Sequence, residues 1–257
     1  MSEKYLLSSV KNAMKILRLY SPKQKELGIM EISRKLNIPK SSAHRLVSLL
    51  VKEGFLSKNP RTNKYRLGLS ILTLGGVIFS HHELYKEALP IVRKLVDTLN
   101  ESAHICLLEE EQVVYLFRIE SSQPDRLLTY IGRKNPIHCT SEGLCILAYQ
   151  SKKTIDKVLS KNLYAYTPYT ITDPDLLKNK LKKIKKQGFA ISKDDFFVGY
   201  VGIAAPIRDY TGKVVSSLSM VGSTSRITEE RYPIFIENIT KAAQKISEHL
   251  GYVKINA

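Results

Sequence analysis

Long apolar stretches are missing from this 257-residue chain: no run approaches the ~20 apolar residues that a membrane-spanning helix needs. The first residues, Met1-Ser2-Glu3-Lys4, lack the basic-then-apolar order of a secretory signal, so a cytoplasmic protein with no membrane partner is expected. Cysteine is scarce and odd in number, three in all, which excludes a disulfide framework and predicts reduced thiols. No C-x-x-C or H-x-x-x-H spacing offers a metal site, and no G-x-x-x-x-G-K-[ST] run offers a phosphate-binding loop. Neither metal nor cofactor is expected. His138-Cys139 suggests a thiol with its base, but sequence neighbours rarely face each other as a catalytic pair. Cys106, Cys139 and Cys145 therefore read as buried packing residues, and no catalytic residue is assigned. Acidic residues are also few, 24 against 40 Lys plus Arg, leaving a net charge of +16.

That charge is uneven. Residues 1–82 hold 15 Lys/Arg against 4 Asp/Glu, whereas 83–257 hold 25 against 20. A short, strongly cationic segment concentrates a polyanion and gains from counterion release, which makes nucleic acid the first partner to consider. The lysine-rich stretch from Lys178 to Lys186 is a different case: Leu177, Leu181 and Ile184 share one face, so its lysines read as the wet side of an amphipathic helix.

Within the cationic segment, Val10, Ala13, Met14, Ile16, Leu17 and Tyr20 recur at helical spacing after Ser8-Ser9, and Pro22 ends the run. A short second helix over Met30–Leu36 must stop before Pro39. After a tight turn, Ser41 or Ser42 is placed to cap a third helix that buries Ala43, Leu46, Val47 and Leu50. Its other face offers Lys40, Ser42, His44, Arg45 and Ser48. Two short helices around a tight turn, the second presenting small polar and basic groups, is the helix-turn-helix arrangement. Two short strands flanking Asn59-Pro60-Arg61-Thr62-Asn63 then read as a hairpin whose tip carries Arg61, Asn63 and Lys64.

Pro39-Lys40-Ser41-Ser42-Ala43-His44-Arg45-Leu46, Leu50 to Phe55 and Tyr65-Arg66-Leu67-Gly68, in that order, resemble the winged helix-turn-helix of IclR-family transcriptional regulators. The DNA-contacting candidates are Lys40, Ser41, Ser42, His44 and Arg45 in the groove, with Arg61, Asn63 and Lys64 on the wing. The competing reading of this segment is a winged helix used for protein contact or buried packing. Residues 69–83 form an apolar stretch broken by Gly75-Gly76, too short to span a membrane. It is read as a linker helix that packs on a second copy, as the resemblance also implies. His81 and His82, adjacent in sequence, face different ways on a helix and read as solvent-exposed.

The remainder mixes strand and helix patterns. Strands are expected at Ala103–Leu108, Gln112–Phe117, Leu127–Ile131, Phe189–Ser192, Val201–Ile207 and Val214–Val221. Helices are expected at Leu89–Leu99, Ser141–Gln150, Thr154–Leu159, Pro174–Gln187 and Glu229–Leu250. The fold class is α+β: an N-terminal winged helix-turn-helix over 1–68, a linker helix over 69–83 and an α+β sensor-like domain over 84–257. Arg133 to Gly143, Thr167 to Thr172, Gly188-Phe189, the stretch from Gly199 to Asp209 and Ser217 to Thr228 resemble the IclR family's effector-binding domain, itself similar to GAF-type sensors.

The resemblance implies a small-molecule cavity, commonly for carboxylic acids, framed by the segment after Gly132, the Ser192 to Gly202 loop and strand, and the Ser219 to Val221 strand; the candidate residues in it are Tyr130, His138, Thr140, Ser192, Tyr200, Gly202, Ser219 and Val221. Ordinary packing is the alternative for each. Members that take a very small oxo acid tend to place an Asp, a Cys and two Ser where this chain has Ser192, Gly202, Ser219 and Val221. Leu144 likewise replaces a common Lys. The lost thiol and carboxylate predict a freed volume and a larger or less polar ligand, and Tyr200 can stack on that ligand or plug the cavity. The sequence therefore points to a ligand-responsive DNA-binding regulator, in the commoner family mode a repressor. It would act as a homodimer or dimer of dimers on near-palindromic double-stranded DNA. An enzyme-like domain fused to a DNA-binding module and a nonspecific architectural protein are the rival readings.

Overall fold

The computed structural model describes residues 8–21, 23–81, 83–123 and 130–253, the side chains of 78–81 excepted. Two compact units divide between His81 and His82.

In the first unit, α1 (Ser8–Leu17), α2 (Ile29–Leu36) and α3 (Lys40–Lys52) pack around Ile16, Leu27, Ile32, Ala43, Val47, Leu50 and Leu56. Helix α2 starts where the Glu31 carboxylate accepts the Gly28 N–H at 2.6 Å, and it stops at Asn37, whose φ of 51° turns the chain left-handed. Helix α3 starts two or three residues earlier than a cap at Ser41 or Ser42 would put it. Pro39 occupies the N-cap and its carbonyl accepts the Ala43 N–H at 3.0 Å, so Ser41 and Ser42 sit inside the first turn and cap nothing. The hairpin β1 (Leu56–Lys58) and β2 (Tyr65–Leu67) follows, and Leu27 adds a bridge through paired hydrogen bonds with Tyr65 at 2.9 Å each. Helix α4 (Leu69–His81) runs unbroken through Gly75-Gly76, because helical hydrogen bonding needs no side chain and nothing else competes for those backbone groups. Its Leu69 and Leu72 are 80% and 71% exposed in the single chain. The His81 side chain and His82 lie outside the described residues.

The second unit is a six-stranded antiparallel sheet in the order β5-β4-β3-β8-β7-β6. Its strands are β3 (Ser102–Glu109), β4 (Gln112–Ile119), β5 (Lys134–Pro136), β6 (Ala190–Lys193), β7 (Tyr200–Arg208) and β8 (Val214–Ser223). Helices α5 (Glu83–Leu99) and α9 (Tyr232–His249) cover one face, and α6 (Ser141–Leu147), α7 (Lys152–Leu159) and α8 (Pro174–Gln187) cover the other.

Several boundaries differ from the sequence expectations. Helix α5 begins at Glu83 rather than Leu89, with Pro90 inside it and Leu84, Ala88, Val92, Leu95 and Val96 buried along one side. The strand expected at Leu127–Ile131 falls mostly outside the described residues, and Tyr130 and Ile131 are not strand; the short Lys134–Pro136 pairs with β4 instead. The C-terminal helix divides into a 3₁₀ turn at Glu229–Arg231 and α9. Helix α8 does bury Leu177, Leu181 and Ile184, is capped by Asp173 accepting the Leu176 N–H at 2.8 Å, and ends at Gly188.

Candidate nucleic-acid interface and ligand pocket

On α3 the buried Ala43, Val47 and Leu50 leave Ser41, His44, Arg45 and Ser48 on the opposite side, all exposed, with Lys40 exposed at the helix start. Spacings of three, four and seven residues place these four on one stripe. Ser42 is only half-exposed, beside the stripe. The stripe is polar and cationic, and the buried Ala43, Val47 and Leu50 lie on the far side of the helix, which allows it to enter a groove without exposing core.

The hairpin is held by acids. Glu26 accepts from Asn59 Nδ2 at 2.6 Å and from Thr62 Oγ1 at 2.8 Å, and the first of these bonds leads the causes that pull its carboxyl below the usual range. Lys64 lies 3.3 Å from the Glu31 carboxylate and is half-buried, so its charge turns back to α2. Arg61 and Asn63 remain exposed at the tip, where Asn63 holds a φ of 55° and the Asn59 side chain accepts the Arg61 N–H at 2.9 Å.

In the second unit a cavity opens between the start of α6, the 192–202 segment and β8. Thr140, Ser192, Tyr200, Gly202 and Val221 line it. Tyr130, His138 and Ser219 do not. Tyr130 is 38% exposed in a turn, 6.0 Å beneath the Arg133 guanidinium. His138 is paired with the Tyr164 carbonyl at 3.0 Å, and burial pulls its pKa down. Ser219 is buried behind the wall, its register partner across β3 being His104.

Eight lining residues were not among the named candidates: Tyr115, Asn135, Ser141, Glu142, Asp195, Phe196, Phe197 and Val201, the last four of them within the expected 192–202 segment. Glu142, 2% exposed, accepts Tyr115 Oη at 2.6 Å on one oxygen and Ser141 Oγ at 3.0 Å on the other. Asn135 Nδ2 in turn donates to Tyr115 Oη at 2.9 Å. Burial first, and then the Glu142 charge, push the Tyr115 phenol well up, so it remains an O–H donor. Asp195 is held at 2.7 Å by Lys180, and its carbonyl accepts Thr170 Oγ1 at 2.6 Å, which pins the segment carrying Phe196 and Phe197. Phe196 meets Tyr166 edge-on at 4.9 Å, and Tyr166 meets Tyr164 at 4.9 Å.

The volume expected from Gly202 is not open. A Cβ there would stand 2.4 Å from Ser141 Oγ, so the Ser141 side chain already occupies the space that a larger residue at 202 would take. The cavity's free volume is about 50 Å³, small beside the ~300 Å³ or more of pockets that enclose drug-sized ligands. Behind the wall, both His104 ring nitrogens and Ser219 Oγ have no hydrogen-bond partner among the described residues. Among those residues no three His, Cys, Asp or Glu side chains group to hold a metal, and no helix is long and apolar enough to cross a membrane.

Residues 9–60 match the family described as the IclR helix-turn-helix domain, and residues 77–248 match that described as the bacterial transcriptional regulator IclR C-terminal. The HTH-type transcriptional regulator KdgR of Escherichia coli is 30% identical over 247 residues, covering 96% of this chain and 94% of that one. The transcriptional repressor IclR of the same organism is 25% identical over 248 residues, covering 95% and 90%. A solved IclR homolog from Microbacterium hydrocarbonoxydans, complexed with 4-hydroxybenzoate, superposes with a TM-score of 0.86 at 26% identity, covering 94% of this chain and 98% of that one. With both halves matched in order and nearly full-length relatives, the chain belongs to the IclR family, DNA-binding bacterial transcriptional regulators rather than enzymes.

Proposed function

We propose that this chain represses transcription from a near-palindromic operator and that a small metabolite in the α6–β8 cavity changes that binding. The observation that carries the reading is the exposed stripe Ser41, His44, Arg45 and Ser48 on α3, opposite the buried Ala43, Val47 and Leu50. Lys40, Ser41, Ser42, His44 and Arg45 meet the major groove, and Arg61, Asn63 and Lys64 lie along the backbone. Lys64 contributes less because Glu31 already holds it.

The operative parts are residues 1–68, a linker helix at 69–83 and residues 84–257. One helix-turn-helix spans too few base pairs for specificity, so the unit in action is a homodimer or a dimer of dimers in which the exposed apolar face of α4 meets a second copy. The effector acts by population shift: it binds one arrangement of the assembly better than the other and so moves the equilibrium between operator-competent and incompetent forms. Thr140, Ser192, Tyr200, Gly202 and Val221 contact it directly. Ser219, and His138 and Tyr130 further out, act only if the wall or the flanking turns move. A relative named a repressor and a homolog holding a small aromatic acid support this reading.

Substituting Arg45→Ala tests the groove assignment. Operator affinity falls by ~1–3 kcal/mol relative to nonspecific duplex if Arg45 reads a base. Titrating both DNAs at fixed salt decides the matter; equal losses on the two would place Arg45 on phosphate.

A further inference from the structure

The strands that line the cavity at Tyr200, Gly202 and Val221 border a second concavity at their opposite ends. Tyr149, Ser151, Lys185, Arg208 and Lys213 line this groove, between the end of α6, the last turn of α8 and the turn that joins β7 to β8. Its volume is about 640 Å³, within the ~300–1,000 Å³ of small-molecule sites. Three of the lining residues are cations, and no Asp or Glu is among the described lining residues. Asp209, next in sequence to Arg208, closes its carboxylate into the hairpin turn, accepting Thr211 Oγ1 at 2.6 Å and the Thr211 N–H at 2.9 Å. Arg208 is the unusual member. It is half-buried, yet its guanidinium has no carboxylate partner among the described residues. Its Nη1 donates to the Gly212 carbonyl at 2.8 Å, and the group lies 4.7 Å from the Tyr149 ring centre and 5.8 Å from that of Tyr252. The half-buried cations Lys180 and Arg226, by contrast, each hold a carboxylate, Asp195 at 2.7 Å and Glu101 at 2.6 Å.

The two rings hold the guanidinium by cation–π attraction, which fixes its orientation and leaves its charge in place. Tyr149 is tied in turn to α8, its hydroxyl donating to the Lys185 carbonyl at 3.4 Å. Lys185 and Lys213, both exposed and without an ion pair among the described residues, add two point charges on flexible stems. Ser151 caps α7 by accepting the Thr154 N–H at 3.2 Å, so the positive end of that helix stands at the rim. Three like charges around one groove repel one another until an anion enters. A single carboxylate would answer one of them. Linked phosphate groups bring several charges in a row, and an oriented Arg fork flanked by lysines suits their oxygens. We propose that this groove binds the phosphate groups of a small molecule, a free polyphosphate or a nucleotide, as a ligand site separate from the α6–β8 cavity.

Inorganic phosphate, tripolyphosphate, ATP and adenosine test it, each titrated calorimetrically into the full-length protein at about 0.3 M salt to screen scattered surface cations. Tripolyphosphate and ATP bind with Kd values below about 1 mM, inorganic phosphate binds about tenfold or more weakly, and adenosine does not bind. Equal affinity for ATP and tripolyphosphate identifies the phosphate chain as the whole ligand, and tighter ATP identifies a nucleotide. Lys185→Glu combined with Lys213→Glu, both exposed and outside the packed core, weakens tripolyphosphate about tenfold or more. Lys40→Glu with Arg45→Glu, on α3, leaves tripolyphosphate binding unchanged, which separates the groove from the general attraction of the cationic first unit. No binding at concentrations on the order of 10 mM, adenosine as tight as ATP, or a loss that follows the α3 pair rather than the groove pair overturns the proposal. So does a groove pair that weakens a nonspecific duplex as much as it weakens tripolyphosphate, because the groove would then belong to the path of DNA.

Discussion

His104 is a histidine kept from water on a sheet face that otherwise packs. It is 1% exposed, with the Tyr115 ring edge-on at 5.1 Å, and burial first, then the Arg118 charge, push its pKa from 6.5 down to about 3. The unfolded chain gains a proton at this residue near pH 6.5 and the folded chain does not until about pH 3. The stability His104 carries is therefore fully present above pH 6.5 and is lost as the pH falls through that window, at up to ~1.4 kcal/mol per pH unit. Carboxylates whose pKa values are lowered in the fold, Glu111 among them, begin to contribute only near and below 4.5. Between pH 6.5 and 5 the histidine effect thus stands apart. Replacing His104 by Phe keeps a ring against Tyr115 and removes the titration. Urea midpoints followed by circular dichroism should fall with pH in the parent and stay flatter in His104→Phe; His138 is common to both and cancels. Parallel slopes in the two proteins would mean that His104 is protonated in the folded state.

The helix-turn-helix was legible because its evidence is local: apolar periodicity, Pro39 and a basic run all lie within a few turns of each other. Even there the capping assignment to Ser41 or Ser42 failed, since Pro39 has a φ of −55° that suits an N-cap and needs no N–H. The cavity was half legible. Thr140, Ser192, Tyr200, Gly202 and Val221 line it, but Tyr115, Asn135 and Glu142 join them only through the strand order of the sheet and the seating of α6, which no periodicity encodes. A glutamate in a helix reads as solvated until packing buries it. The same non-locality decides which glycines matter. Between β2 and α4, a Cβ at Gly68 would stand 2.0 Å from the Gly54 carbonyl oxygen and 2.8 Å from its carbon, backbone that cannot swing aside, whereas one at Gly76 would meet nothing within 4 Å. Gly68→Ala should therefore destabilise the first unit by ~2–3 kcal/mol. It should also abolish DNA binding while the second unit's thermal transition stays in place. Gly76→Ala should leave the first unit's fold as stable or raise it by up to ~1 kcal/mol. Differential scanning calorimetry of the two variants separates the cases, and similar transitions for both would refute the close approach at Gly68.

On the proposed reading, charge and exposed apolar surface together set how paired copies meet DNA. The excess of 15 basic over 4 acidic residues in 1–82 supplies a sequence-independent attraction, but only cations that stay exposed can displace counterions. Lys40, Arg45 and Arg61 are exposed, whereas Lys64 is held by Glu31. If these three proposed contacts are the cations that meet phosphate, two copies on the operator should give log affinity against log salt a slope of about −5, a loss of roughly 10³ between 50 and 200 mM salt. That number depends on both copies being present at once. Leu72, 71% exposed on α4 in the single chain, is where the proposed pairing is easiest to break. Leu72→Glu puts a charge into an apolar contact without touching the core of either unit. The variant should sediment as a smaller species, and its slope should drop to about −3, since one copy then brings only half the cations. The residual binding would also lose its preference for a palindrome over a half-site. Sedimentation velocity and salt-series titrations on the same preparation test the two halves of this argument together. An unchanged slope and unchanged size in Leu72→Glu would show that α4 does not carry the pairing and that the copies meet through another surface.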